Sequence, residues 1–141
     1  MVEDCMNFLL SVSQHKVFKH YGKLLEKYEI TPAQAGILTC IWHESEKQIT
    51  PTELGKKLHL EAPTISGILD KMQKQNLISR EVDPNNRRVV FVSTTKKANN
   101  LKKSIENATE SMNKDVLNSF SDEEVVVLKA ALLSLINSDL P

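Results

Sequence analysis

Between residues 63 and 75, the residue types that can hydrogen-bond fall on one side of a 3.6-residue period. Pro63, Thr64, Ser66, Gly67, Asp70, Lys71 and Lys74 lie on that side, opposite Ile65, Ile68, Leu69 and Met72. The polar flank is small and hydroxylic at its start and cationic at its end. Short hydroxyls reach base edges or phosphate oxygens without a bulky stem, and ammonium groups neutralise phosphates. Gly67 lets the helix backbone come close to a duplex, and close packing against another helix is the alternative use for it. A second cluster follows, Asn85-Asn86-Arg87-Arg88, in a turn between two β-like runs. A thin loop of this composition can lay Arg or Asn into a minor groove. The alternative is a solvated turn with Arg87 or Arg88 paired to Asp83, Arg87 being the expected partner.

Other chemistry has little support. Gly22, Gly36, Gly55 and Gly67 are dispersed and form no phosphate loop. No hydroxyl carries the surroundings of a nucleophile, and no paired acids suggest acid–base work, so an enzyme is not expected. Cys5 and Cys40 are too few for a disulfide framework, and His15, His20, His43 and His59 lack ligand spacing, so neither metal nor cofactor is expected.

The 141 residues are 40% hydrophobic and 26% charged, an ordinary globular composition with no apolar run of membrane-spanning length. The N-terminus carries Glu3 and Asp4 and no basic cluster, which argues against a signal peptide and for a cytoplasmic protein. Net charge is zero, but its distribution is uneven. Residues 47–103 hold twelve Lys/Arg against five Asp/Glu, while the remainder holds six against thirteen. The cationic block coincides with the two polar clusters, as contact with a polyanion requires.

The flanking elements are legible from periodicity and caps. Residues 5–28 predict a first helix, with Met6, Leu9, Leu10, Val17, Tyr21, Leu24, Leu25 and Tyr28 at helical spacing. Thr31-Pro32-Ala33-Gln34 starts a second helix reaching about residue 44, and Thr50-Pro51-Thr52-Glu53 starts a third over 51–58. Gln48-Ile49-Thr50 predicts a very short strand. The turn at 59–62 leads into the fourth helix at 63–75, whose poor cap, Ala62, leaves its first amides free. Residues 77–82 and 88–94 predict a β-hairpin. Residues 96–119 predict one long helix, and Ser121-Asp122-Glu123-Glu124 caps a last one carrying Leu128, Leu132, Leu135 and Ile136. The fold class is therefore mainly α with a small β-hairpin wing: a winged helix-turn-helix with a helical region built from both chain ends.

From Ile49 to Thr95 the chain resembles the MarR (multiple antibiotic resistance regulator) family. The resemblance rests on Thr52-Glu53-Leu54-Gly55-Lys56-Lys57-Leu58, Pro63-Thr64-Ile65-Ser66-Gly67-Ile68-Leu69-Asp70-Lys71-Met72, Leu77-Ile78-Ser79-Arg80 and Asp83-Pro84-Asn85-Asn86-Arg87-Arg88-Val89-Val90-Phe91-Val92-Ser93-Thr94-Thr95. Their joint order and spacing are specific, and the likeness extends over nearly the whole chain. It implies a cytoplasmic homodimeric transcriptional regulator, a repressor on a pseudo-palindromic double-stranded DNA site. Residues 1–30 and 96–141 would form the dimerisation region, and 31–95 the DNA-binding domain. It also implies release of DNA by a small phenolic or amphipathic effector held between the two regions, and His15, Phe18, Trp42 and His43 are the expected lining.

Within that frame Thr52 and Lys56 position the DNA backbone, Thr64, Ser66 and Lys71 contact bases or phosphates, and Asn85, Asn86, Arg87 and Arg88 serve the wing. Many members carry Arg where Asn85 and Gly67 stand, so minor-groove insertion passes to Arg87 and readout relies on hydroxyls, Lys and shape. Two alternatives compete. One is a winged helix used for protein–protein contact, which has no need of the focused positive charge. The other is a redox sensor built on Cys5, which sits early relative to Phe8-Leu9-Leu10 and lacks tyrosine partners at Ala33-Gln34-Ala35.

Overall fold

A computed structural model describes residues 1–44 and 48–141. Lys47, the first cation of the basic block, lies outside them. A 3-10 turn at Val2–Asp4 leads into α1 (Met6–Leu25), which tightens into a second 3-10 turn, Glu26–Tyr28. The left-handed backbone of Glu29, φ 58°, stops it there. Next come α2 (Pro32–His43), α3 (Pro51–Leu58), α4 (Ala62–Lys74), β1 (Ile78–Asp83), β2 (Asn86–Thr94), α5 (Lys96–Asn100), α6 (Lys102–Leu117) and α7 (Asp122–Ile136).

The capping signals read from sequence are present as reciprocal bonds. Thr31 and Gln34, Thr50 and Glu53, and Ser121 and Glu124 each form a complete capping box, with Pro in the first turn of α2 and α3. The α4 helix starts one residue earlier than expected. Its N-cap is Glu61, whose side chain makes no capping bond.

The long helix expected over 96–119 is broken at Leu101. Asn99 supplies the reason. Its Oδ1 accepts from the Trp42 indole Nε1 at 2.8 Å and from the Thr94 hydroxyl at 2.7 Å, tying the first turn to α2 and β2. Leu101 N–H falls back to the Ala98 carbonyl, a 3-10 bond, and α6 starts again at Lys102.

The core lies between α2, α3, α4 and the hairpin. Leu25, Ile37, Leu38, Ile49, Leu54, Leu69, Met72, Leu77, Ile78 and Ile105 are its largest fully buried apolar side chains. Ile49 pairs with Val92 as a third, single-bridge strand of the wing. The arms are another matter. In α1 only Leu25 is buried, and in α7 no residue is. The α1 helix meets α6 through the Tyr21 and Thr109 hydroxyls, 2.6 Å apart, and through His20 Nε2 and Asp115 Oδ2 at 2.8 Å. No helix among the described residues is long and apolar enough to cross a membrane.

Candidate nucleic-acid interface

The α4 helix divides as its period predicts. Ile65, Leu69 and Met72 are buried, Ile68 is half-buried, and Pro63, Thr64, Ser66, Gly67, Asp70, Lys71 and Lys74 are exposed. Thr52 and Lys56 are exposed on α3. A cleft of about 400 Å³ runs between the two helices, lined by Thr52, Gly55, Lys56, Ile65, Ser66 and Arg80 among others. It therefore brings Thr52, Lys56 and Ser66 onto one concave surface.

Arg80 and Gly55 were not read as site residues from the sequence. Arg80 Nη2 donates to Asp70 Oδ1 at 2.6 Å, which binds β1 to the exposed flank of α4, and its buried Nε has no partner among the described residues. Asp70 is thus a paired carboxylate beside the polar flank rather than a free one. Strand alternation alone makes Arg80 look like any surface cation; its partner lies ten residues back and is visible only in three dimensions.

Gly67 has open space around it. A Cβ built there meets nothing within 4 Å, so packing against another helix does not explain this glycine. We expect Gly67→Ala to raise the unfolding free energy by about 1 kcal/mol, the helix-interior difference between Gly and Ala. Urea unfolding measures this, and a loss of stability would mean the site is more crowded than its surroundings show.

The hairpin differs from expectation in an informative way. The turn proper is only Pro84-Asn85, and Asn86, Arg87 and Arg88 already belong to β2. Val82 faces Val90, yet Asp83 faces Asn86, so Arg87, Arg88 and Val89 bulge out of the ladder without partners on β1. Bulges of this kind re-aim side chains. The expected Asp83–Arg87 ion pair does not form. Asp83 Oδ1 instead accepts the Asn85 N–H at 2.9 Å, and Asn86 Oδ1 accepts the Arg88 N–H at 3.1 Å. Two short Asx turns shape the tip, because a side-chain oxygen two residues before a backbone amide reaches that amide at less entropic cost than it reaches a flexible guanidinium. Both arginine side chains remain exposed.

The residues expected to line a pocket lie on α1 and α2. His15, Phe18 and His43 are exposed, and Trp42 is half-buried with its N–H committed to Asn99 and Lys102 Nζ 5.9 Å from its ring centroid. None of the four lines the cleft. Cys5 is exposed at the start of α1. Cys40 is half-buried; burial pushes its thiol pKa up, and Lys57 opposes that in part. Among the described residues no group of His, Cys, Asp or Glu could hold a metal ion.

A profile of the MarR family matches residues 30–90. The organic hydroperoxide resistance transcriptional regulator of Bacillus subtilis (strain 168) is 32% identical over 139 residues, covering 97% of this chain and 90% of that protein. Among solved structures, the Staphylococcus aureus MepR–DNA complex superposes with a TM-score of 0.86 at 23% identity, covering 93% of this chain and 96% of that one. CouR from Rhodococcus jostii RHA1 bound to p-coumaroyl-CoA superposes with a TM-score of 0.84 at 18% identity, covering 100% of this chain and 98% of that one.

Proposed function

The chain belongs to the MarR family of transcriptional regulators, and from that premise we propose that it acts as a homodimeric repressor on a pseudo-palindromic DNA site. Residues 1–30 and 96–141 supply the dimerisation region and 31–95 the DNA-binding domain. The α4 helices enter successive major grooves, with half-site centres roughly 34–36 Å apart. Thr64, Ser66 and Lys71 meet bases or phosphates, Thr52 and Lys56 hold the backbone, and the wing sets Arg87 and Arg88 toward the minor groove, with Asn85 and Asn86 at its tip.

The observation that carries this reading is the sidedness of α4. Its apolar face closes the core while its hydroxyl and lysine flank stays exposed, and the bulged arginines of the hairpin are exposed as well. A module for protein contact would have no use for cations concentrated there. The solved relative bound to DNA and the one bound to an acyl-CoA support two further parts of the reading. The first is duplex binding. The second is release by a small amphipathic effector that favours a different lobe separation.

Fluorescence anisotropy on duplexes from the promoter of the protein's own gene tests the reading. Affinity should fall with salt by a slope of about 0.9 per phosphate contacted. Arg87→Ala should weaken binding to all sequences about tenfold and flatten that slope, with the dimer intact. Affinity unmoved by salt and by this substitution would remove the wing and the duplex from the mechanism.

A further inference from the structure

Gln34 is the only buried polar side chain among the described residues, at 2% exposure. Its Oε1 accepts the Thr31 N–H at 3.1 Å, and its Nε2 donates to Gln75 Oε1 at 2.8 Å. Gln75 is the C-cap of α4. Its own Nε2 donates to the Glu29 carbonyl at 3.4 Å, and its backbone carbonyl accepts from Lys97 Nζ at 2.8 Å. One residue on, Asn76 turns left-handed at φ 59°, and its carbonyl accepts the Thr95 hydroxyl at 2.7 Å.

The C-terminal end of α4 is thus held from three sides. Glu29 closes the first arm, Gln34 opens α2, and Thr95 and Lys97 open α5. Two of these three are the points where the chain passes between the lobe and its helical arms. The bonds also use the carbonyls that a helix end leaves unpaired, and Lys97 sits where a cation complements the helix dipole. A buried carboxamide is costly to unpair, so the Gln34–Gln75 bond admits one arrangement and not a range of them.

We propose that Gln34, Gln75 and Lys97 are positioning residues that set the angle of α4 against the arms, and through it the spacing of the two recognition helices. None of the three belongs to the DNA-contacting surface. The inference rests on the dimeric, DNA-binding reading above and adds to it the element that makes the protein discriminate half-site spacing.

The test titrates wild type, Gln34→Leu, Gln75→Leu and the double variant against palindromic duplexes. Half-site centres are moved one or two base pairs either way from the best spacing, and a single half-site duplex serves as reference. Wild type should favour its best spacing by about tenfold or more, since each base pair also rotates the half-site about the helix axis. Each single variant should cut that preference to about threefold or less, and the double should lose less than the two single losses combined, because the Gln34–Gln75 bond is shared while the bonds to Thr31 and Glu29 are lost separately. Half-site affinity and sedimentation should not change.

Lys97→Met removes an exposed contact without disturbing the buried amide, and should lower the preference about threefold even if the glutamine variants fail to fold. An unchanged spacing preference in every variant that folds, whatever its melting temperature, would overturn the proposal while leaving DNA binding intact. Wild type that binds no duplex would overturn the DNA-binding reading itself, and this inference with it.

Discussion

Removal of residues 121–141 is expected to yield a protein that sediments as a single chain and binds its operator roughly 10²–10⁴-fold more weakly. The α7 helix is apolar around most of its circumference, and a helix of that kind is stable only where other protein covers it. In one chain none of its residues is fully buried: Val126 and Val127 are 68% and 67% exposed, Leu133 is 58% exposed, and Leu132, Leu135 and Ile136 are exposed with them. Met6, Leu9, Val12 and Phe18 on α1 are exposed as well. Burying apolar surface contributes roughly 25 cal/mol per Å², so a second copy covering these two helices is the assembly that the exposed surface favours.

The DNA effect follows from bivalency. A dimer binds its second half-site as an intramolecular event, and a monomer loses that advantage without losing any contact within one half-site. The lobe itself should survive, because no α7 residue belongs to its core. Leu132→Glu is the single-residue version, and it should weaken the dimer in the same direction. A truncated chain that still sediments as a stable dimer would place the subunit contact elsewhere.

Gly55→Val is expected to cost about 2 kcal/mol or more of stability, within the range for overpacking a closely packed site. Gly55 is buried in α3, and a Cβ there would stand 3.0 Å from the Leu60 backbone carbonyl oxygen and 3.9 Å from Ile65 Cγ2. The crowding comes from the tight turn between α3 and α4. His59 is left-handed at φ 55°, and Leu60 N–H returns to the Gly55 carbonyl at 2.9 Å. A backbone oxygen cannot rotate away as a side-chain tip can, so the turn must open. The start of α4 moves with it, and DNA affinity should fall alongside the melting temperature. The contrast with Gly67 is the check: two helical glycines, one expected to lose stability on substitution and one to gain it. Thermal unfolding of both variants decides it. Equal responses would mean that the space around each glycine does not govern the outcome.

Much of the architecture was readable because its causes are local. A threonine or serine three residues before Gln or Glu makes a helix start almost independently of the rest of the fold, and all three such starts are present. The polar and apolar faces of α4 followed from its period, since buried and exposed positions must alternate as the helix turns. Where a local rule met a distant partner, the reading fell short. Asp83 lay four residues from Arg87 and looked like its partner, but an amide two residues away took the carboxylate. Asp70 lies on the polar side of the α4 period, and only the fold shows that Arg80 on the adjoining strand pairs with it. The helix expected to run unbroken through residue 101 is interrupted there, next to an Asn99 claimed by Trp42 and Thr94.

What the amino-acid order settled unaided is the set of elements, their polarity and the cationic middle of the chain. Those depend on neighbours within about one helical turn and on composition, and both are written in one dimension. Only the folded chain decided which glycine is crowded, which carboxylates are already engaged, how the arginines leave the hairpin, and that the end of α4 is clamped to both arms. Each of these depends on which atoms from remote segments arrive within about 3 Å of one another, and hydrogen bonds and close contacts are decided at that distance.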